Sequence, residues 1–379
     1  MELFLTHACN LRCTYCYNGR HLRRDMSPDV LSRAIDLAFA DGSGPVGIAF
    51  FGGEPLLRFD SLREGVRLAR AASARTGRPV AFRVTTNGTL LAGDRLAFLR
   101  DERFAVAVSL DGPADVQDAM RPGVGGRSSH DRVVRNVRAA AQAIPGLNVI
   151  AVVTPATADR AGDAVAHAAS LGVRAIHLAL DWHADWSTED LRRLRRGLAR
   201  AAGIWADSFR AGAPLGVTPF AGVVARAVLA GAAHMPRCAC GDREWTVAPS
   251  GRIYPCDRMV GQDDGSGAII GTVFDGFDGA ARARFLTAKT RTPPRCARCP
   301  DAARCRFWAP CVRDPSGGWD AAPSTRICRL ERAMIGAVDR AATRLYDEGN
   351  RAFLDRFYRN ATARTVASRH GMTLEEATP

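Results

Sequence analysis

Lysine is all but missing from this chain. Lys289 is the only one, so the 52 basic residues are otherwise arginine. Aromatic residues are few, 7% of 379, and no basic run is interleaved with them as in a groove that grips nucleic acid. The formal net charge of +13 is therefore scattered arginine, and nucleic acid is not expected as a partner. No apolar stretch approaches the ~20 residues of a membrane span, and mean hydropathy is −0.11. No membrane association is expected. The opening residues Met1-Glu2-Leu3-Phe4-Leu5-Thr6-His7 lack the basic, apolar and small-residue regions of a signal peptide, so a cytoplasmic location is expected. Cysteine is missing between Cys16 and Cys238 and again after Cys328. All 11 cysteines therefore fall into two short segments, and an odd count without a signal argues against a disulfide framework. Short spacings argue for metal.

What is present is enough for a sizeable core, with 47% hydrophobic residues. From Met1 to about Arg210, β-rich runs alternate with amphipathic stretches. The spacing predicts strands at Glu2–His7, Val46–Phe51, Val80–Thr86, Phe104–Leu110, Leu147–Val153 and Arg174–Leu180. Helical patterns fall between them, and Ser187-Thr188-Glu189-Asp190 reads as a helix start. Six strand–helix units predict an α/β fold with a parallel sheet, doubly wound or a partial (β/α)6 TIM barrel two units short of closure. The expected division is residues 1–210 as this body, 211–335 as an irregular cysteine-rich domain, and 336–379 as a helical segment and tail. Trp245–Val247 and Arg252–Tyr254 flank Pro249-Ser250-Gly251 and read as a β-hairpin. A helical pattern returns over Leu330–Leu354.

Cys9, Cys13 and Cys16 lie in Cys9-Asn-Leu-Arg-Cys13-Thr-Tyr-Cys16, directly after the first strand. Zinc sites usually take four ligands, whereas an iron–sulfur cluster is bound by thiolates at its irons. Three thiolates leave one iron open. This spacing, with Tyr15 before the third cysteine, resembles the radical S-adenosylmethionine superfamily. In that family the open iron chelates S-adenosylmethionine, whose reductive cleavage releases a 5′-deoxyadenosyl radical. Three later strand ends match the same pattern: Phe50-Phe51-Gly52-Gly53-Glu54-Pro55, Thr85-Thr86-Asn87-Gly88 and Ser109-Leu110-Asp111-Gly112-Pro113. The two glycines would let backbone approach the ligand, and Glu54 or nearby carbonyls would meet its amino group. The resemblance implies contacts from Gly53, Ser109 and Arg121, with Tyr15 lining the site and Leu180 packing on the adenine. On this view Gly53→Val weakens cofactor binding and leaves the clusters in place.

The second segment runs Cys238-Ala-Cys240, Cys256, Cys296-Ala-Arg-Cys299, Cys305, Cys311, Cys328. Eight cysteines could also make two Cys₄ zinc sites. The order resembles the SPASM extension of radical S-adenosylmethionine enzymes, which binds two auxiliary 4Fe–4S clusters. The resemblance assigns Cys240, Cys256 and Cys311 to the first, with Cys238 as the candidate fourth ligand. It assigns Cys296, Cys299, Cys305 and Cys328 to the second. Five residues separate Cys305 from Cys311, where the family usually has three. The expected cofactors are thus S-adenosylmethionine and three 4Fe–4S clusters. Arginines crowd this segment (Arg237, Arg243, Arg252, Arg295, Arg298, Arg304, Arg306), either offsetting thiolate charge or forming a solvated face.

Asp257 directly follows Cys256. The arrangement resembles anaerobic sulfatase-maturing enzymes, where the matching Asp takes a proton from the substrate Cys or Ser. A base within hydrogen-bond reach is what that step requires, and the alternative is a surface Asp paired with Arg258 or Arg243. The function expected first is a maturase that oxidises or cross-links a ribosomally made peptide. The second is a sulfatase maturase that makes formylglycine, and a third, of another class, is a zinc or iron–sulfur module without catalysis. Expected partners are the peptide or protein substrate, a flavodoxin- or ferredoxin-type electron donor, and a separate leader-peptide-binding protein. His7 and His183 are read as structural.

Overall fold

The computed structural model describes residues 1–18, 21–40, 42–228, 239–265, 267–305 and 324–359. Cys238 and Cys311 lie outside them. The chain begins β1 (Glu2–Phe4), α1 (Pro28–Ala40), β2 (Val46–Phe51), α2 (Phe59–Thr76), β3 (Val80–Thr86), α3 (Gly93–Asp101), β4 (Ala105–Ser109). It continues α4 (Ala114–Met120), α5 (His130–Ala143), β5 (Asn148–Val153), α6 (Ala161–Ser170), β6 (Ala175–Leu180), α7 (Thr188–Arg210). Then come β7 (Gly216–Thr218), α8 (Phe220–Val228), β8 (Thr246–Val247), β9 (Arg252–Tyr254), β10 (Gly271–Thr272) and β11 (Gly276–Phe277). Four helices follow: α9 (Gly279–Thr290), α10 (Pro294–Ala297), α11 (Thr325–Asp347) and α12 (Arg351–Phe357). The α/β class and all six strand–helix units are present as expected. No described helix is long and apolar enough to cross a membrane.

Two compact units divide the chain. The first comprises the described residues of Met1–Leu110, Ala114–Val149 and Ala239–Arg291. Its sheet runs β11-β10-β9-β8-β1-β2-β3-β4. Strands β1 to β4 are parallel, and their inward apolar residues close the core. Phe50, Phe82 and Phe104 meet there, with ring centroids 5.3–6.4 Å apart. The β8–β9 hairpin expected from sequence is present. It adds to the edge of this sheet, with β8 parallel to β1, so Leu3 lies between Phe50 and Val247. Tyr254 and Phe4 are fully buried in one cluster with Ala248 and Val260.

The second unit holds the described residues of Asp111–Pro113, Ile150–Cys238 and Thr292–Pro379. Helix α7 starts where expected, because Ser187 and Asp190 cap each other's backbone in a capping box. Its buried stripe Leu191, Leu194, Leu198, Ala201, Trp205, Phe209 follows the helical period. Trp205 packs edge-on against Phe209, Phe220 and Phe353.

Three boundaries differ from the sequence reading. The continuous pattern over Leu330–Leu354 is two helices, since Gly349 adopts φ +63° and Asn350 caps a new start through Phe353 N. Helix α9 lies where periodicity fades, its buried face reduced to Ala281, Phe285 and Ala288. Strand β1 stops at Phe4 because the next residues bond elsewhere: Met26 N donates to Leu5 O and His7 N to Arg24 O.

Candidate active site

Beyond β1 the chain runs beside the loop that follows β2. Gly53 N donates to Thr6 O at 2.7 Å and Glu54 N to Ala8 O at 2.9 Å. The approach is close enough to dictate the sequence. A Cβ at Gly53 would sit 2.3 Å from Ala8 O and 2.8 Å from His7 O; at Gly52, where φ is +135°, it would sit 2.5 Å from Thr6 O. Both glycines are therefore required by the chain's own backbone leading into Cys9. This is a requirement of the loop itself, beside the close ligand approach expected of the two glycines.

Glu54 lies in the same loop. Its carboxylate is fully buried and accepts from Leu56 N at 3.0 Å, Thr86 Oγ1 at 2.7 Å and Asn87 N at 2.7 Å. Burial pushes its carboxyl above the usual range, and the three donors oppose that shift. Glu54 thus braces the β2 loop to the end of β3. The Thr-Thr-Asn-Gly motif completes the brace. Asn87 Nδ2 donates to Asn10 Oδ1 at 2.7 Å, and Asn10 Nδ2 donates to Thr89 Oγ1 at 2.8 Å. The cysteine loop is thereby tied through Asn10 to the loop after β3.

Cys9, Cys13 and Cys16 are all half-buried and in no disulfide. Leu11 N donates to Cys9 Sγ at 3.4 Å and Asn87 Nδ2 approaches it at 3.7 Å. Burial pushes the Cys9 thiol up to about 11, so metal binding there must expel a proton. Among the described residues no three Cys, His, Asp or Glu side chains are placed to hold one metal ion. One tetrahedral zinc ion would need its sulfurs within roughly 3.8 Å of each other, from Zn–S of about 2.3 Å. A four-iron cube holds thiolates at its corners, further apart. Three thiols on one loop, with Leu11 N and Asn87 Nδ2 approaching the Cys9 sulfur, are the kind of donor set that such a cluster uses.

Tyr15 and Arg121 come together: Arg121 Nη1 donates to Tyr15 Oη at 2.6 Å, and the guanidinium lies 5.8 Å from the ring centroid. Arg121 is buried. Ser109 ends β4 in the first unit, half-buried. Leu180 ends β6 in the second unit and is buried. His7 is buried against the Phe4 ring, 4.7 Å between centroids, and burial lowers its pKa. A neutral packed imidazole suits the structural role expected of it.

Asp257 is half-buried and bonded to the loop after Cys16. Tyr17 Oη donates to its Oδ2 at 2.5 Å, across 240 residues of sequence, and Cys256 Sγ lies 3.0 Å from its Oδ1. Burial, then the Cys256 sulfur, pushes its carboxyl up to about 7, against the pull of Arg258. Burial and Asp257 keep Tyr17 protonated, as a donor must be. Arg258 stacks 4.9 Å from the Tyr17 ring centroid. Sequence reasoning missed Tyr17, although a hydroxyl-bearing aromatic directly after Cys16 was visible. Cys240 lies in the same unit, its carbonyl accepting from Lys289 Nζ at 2.9 Å. Cys296, Cys299, Cys305 and Cys328 are half-buried, in no disulfide and in the second unit, and Cys296 feels Cys328 and Cys299.

A parallel α/β sheet with a three-cysteine loop after its first strand is the arrangement that the radical SAM resemblance implied. Residues 3–168 match the Radical SAM superfamily, so the chain is an enzyme that carries a radical SAM domain. Among named proteins it is similar to two cysteine-type anaerobic sulfatase-maturating enzymes. That of Clostridium perfringens (strain 13 / Type A) is 23% identical over 316 residues, 77% of this chain and 83% of the relative. That of Clostridium novyi (strain NT) is 29% identical over 157 residues, 39% of this chain and 42% of that protein. The solved structure of native anSMEcpe with bound AdoMet superposes with a TM-score of 0.76 at 20% identity, covering 92% of this chain and 99% of that one. Streptococcus suis SuiB bound to precursor peptide SuiA gives a TM-score of 0.59 at 14% identity, covering 86% and 75%. The chain has the fold of these structures.

Proposed function

We propose that this enzyme is a maturase of the anaerobic sulfatase-maturating type, oxidising a Cys or Ser side chain of a protein or peptide. The observation that carries this is the Tyr17–Asp257 hydrogen bond, which sets a carboxylate between the loop after Cys16 and the loop after Cys256. In this reading Cys9, Cys13 and Cys16 hold the cluster that binds S-adenosylmethionine. Residues 211–335 supply the SPASM ligands, with Cys240, Cys256, Cys311 and Cys238 for one auxiliary cluster and Cys296, Cys299, Cys305 and Cys328 for the other. When bound, these groups supply reductive cleavage of S-adenosylmethionine to a hydrogen-abstracting radical and an acceptor for one electron.

The chain's own residues supply orientation and proton transfer. The Gly52–Gly53 backbone, Ser109 and Arg121 would hold S-adenosylmethionine, with Tyr15 fixing the Arg121 side chain. After hydrogen abstraction the substrate residue must still lose one proton and one electron. Asp257 takes that proton from the side-chain heteroatom. Tyr17 orients it, and Tyr17→Phe deletes one hydrogen bond to a charged group, about 1.5–3 kcal/mol. Product formation is expected to fall roughly 10- to 100-fold, with 5′-deoxyadenosine still formed. An unchanged product rate would leave Tyr17 a packing residue.

Anaerobic iron analysis tests the cofactor reading. The parent is expected to hold about twelve irons, four per cluster, and the triple Cys9/Cys13/Cys16→Ala variant about two-thirds of them. Equal iron in both, or zinc in place of iron, would sink it. The likeness to SuiB supports a second reading, in which the substrate is a ribosomal precursor peptide and a separate protein binds its leader. Mass spectrometry of anaerobic reactions decides between them. A peptide bearing a sulfatase's Cys or Ser motif is expected to become the aldehyde. Modification of a precursor peptide alone would transfer the assignment. Flavodoxin or ferredoxin would serve as electron donor in either case.

A further inference from the structure

The arginines of the cysteine-rich segment, together with Arg332 of α11, meet carboxylates and sulfurs in the structure. Most of the described ones that have partners meet carboxylates: Arg243 with Asp242 at 3.9 Å, Arg252 with Asp263 at 3.5 Å, and Arg304 Nη1 with Asp339 at 3.0 Å. Two meet sulfur. Arg295 Nη2 lies 3.9 Å from Cys328 Sγ, and Arg332 Nη2 lies 3.6 Å from Cys299 Sγ. Both contacts fall within the second unit.

The Arg332 contact is built rather than incidental. Cys328 and Arg332 stand four residues apart on α11, which places them on one helix face. Arg332 Nε donates to Asp301 Oδ2 at 2.9 Å, so the guanidinium plane is fixed from one side while its other arm reaches Cys299. Arg295, beside Cys296 in α10, reaches across to α11. Each arginine therefore joins a sulfur on the other segment, and the pair stitches Cys296-Ala-Arg-Cys299 to Cys328. Arginine suits this role because its charge is permanent and its fork is rigid.

We propose that Arg295 and Arg332 set the reduction potential of the cluster bound by Cys296, Cys299, Cys305 and Cys328, raising it by hydrogen bonding to two of its thiolates. The inference rests on the auxiliary-cluster reading of those four cysteines. Reduction adds one negative charge to an already anionic site. Donors and cations at the sulfurs favour the reduced state, the lever by which proteins tune such clusters. Both guanidiniums are exposed, so salt screens part of their charge. The directional N–H···S contacts are the part that persists.

The test is a potentiometric titration of the anaerobically reconstituted full-length holoprotein, followed by electron paramagnetic resonance. The signal of this cluster is identified by its disappearance in Cys296→Ala/Cys299→Ala. In Arg295→Met/Arg332→Met, iron content is expected to be unchanged. The reduced-to-oxidised ratio of that one signal, at fixed potential, is expected to fall about tenfold, or about 59 mV for one electron. Arg332→Lys, which keeps charge but loses the fork, should fall between the two, and the other clusters should not move. A midpoint unmoved with iron intact overturns the proposal alone. Parent iron that does not fall in Cys296→Ala/Cys299→Ala overturns the cluster reading and the proposal with it. Loss of iron in both Arg332→Met and Arg332→Lys would make the arginines structural and also overturn it.

Discussion

Gly53→Val is expected to lose the iron of the first cysteine site, about one-third of the total, along with 5′-deoxyadenosine formation. The cause is steric and local. Even a Cβ would lie 2.3 Å from Ala8 O and 2.7 Å from Ala8 C, and both are backbone atoms of the residue before Cys9. Backbone cannot step aside as a side-chain end can, so the whole Thr6–Cys9 segment must move. Its hydrogen bonds from Gly53 N and Glu54 N would be lost with the movement, and overpacking alone costs typically about 1–3 kcal/mol. Gly53→Ala should show the same pattern more mildly. The measurements are iron per chain, S-adenosylmethionine affinity and the thermal midpoint. Full iron with only cofactor affinity reduced would restore the simpler view, in which Gly53 serves the ligand and not the loop.

Asp257→Asn is expected to separate radical formation from product formation. The amide keeps the side chain's shape and can still accept from Tyr17 Oη, now 2.5 Å from Oδ2, so the loop after Cys256 should hold. Basicity is what disappears. Product is expected to fall by about 10²–10⁴-fold, the usual contribution of a positioned general base, while S-adenosylmethionine cleavage continues. Deoxyadenosine and modified peptide are to be measured in the same anaerobic reaction, after iron content is matched to the parent. Product at the parental rate would remove Asp257 from the chemistry. Lost iron would instead make it a support for Cys256.

Comparison of Tyr17→Phe with Asp257→Asn adds a constraint. If the tyrosine only orients the carboxylate, its loss should cost less than loss of the base, and the double variant should cost no more than Asp257→Asn alone, since interacting residues are not additive. A fully additive loss would mean that Tyr17 acts on the substrate by some route other than Asp257.

The α/β class, the positions of six strands and their helices, the start of α7 at Ser187 and the hairpin at Pro249-Ser250-Gly251 were legible in the chain itself. Each is set by short-range patterns: period-2 or period-3.6 hydrophobicity, a capping box and a tight turn. The cysteine spacing is equally local, and so it pointed to the radical SAM class before any coordinates. Only the tertiary structure decided that the hairpin joins the edge of the sheet beside β1, and that Asp257 meets Tyr17 across 240 residues. The same holds for Glu54, whose carboxylate turns inward to three donors, and for Gly53, which yields to the Ala8 carbonyl. Those outcomes depend on which segments pack together. Pairwise approach between distant stretches leaves no periodicity in one sequence, so a glycine reads alike whether a ligand or the chain's own backbone lies against it.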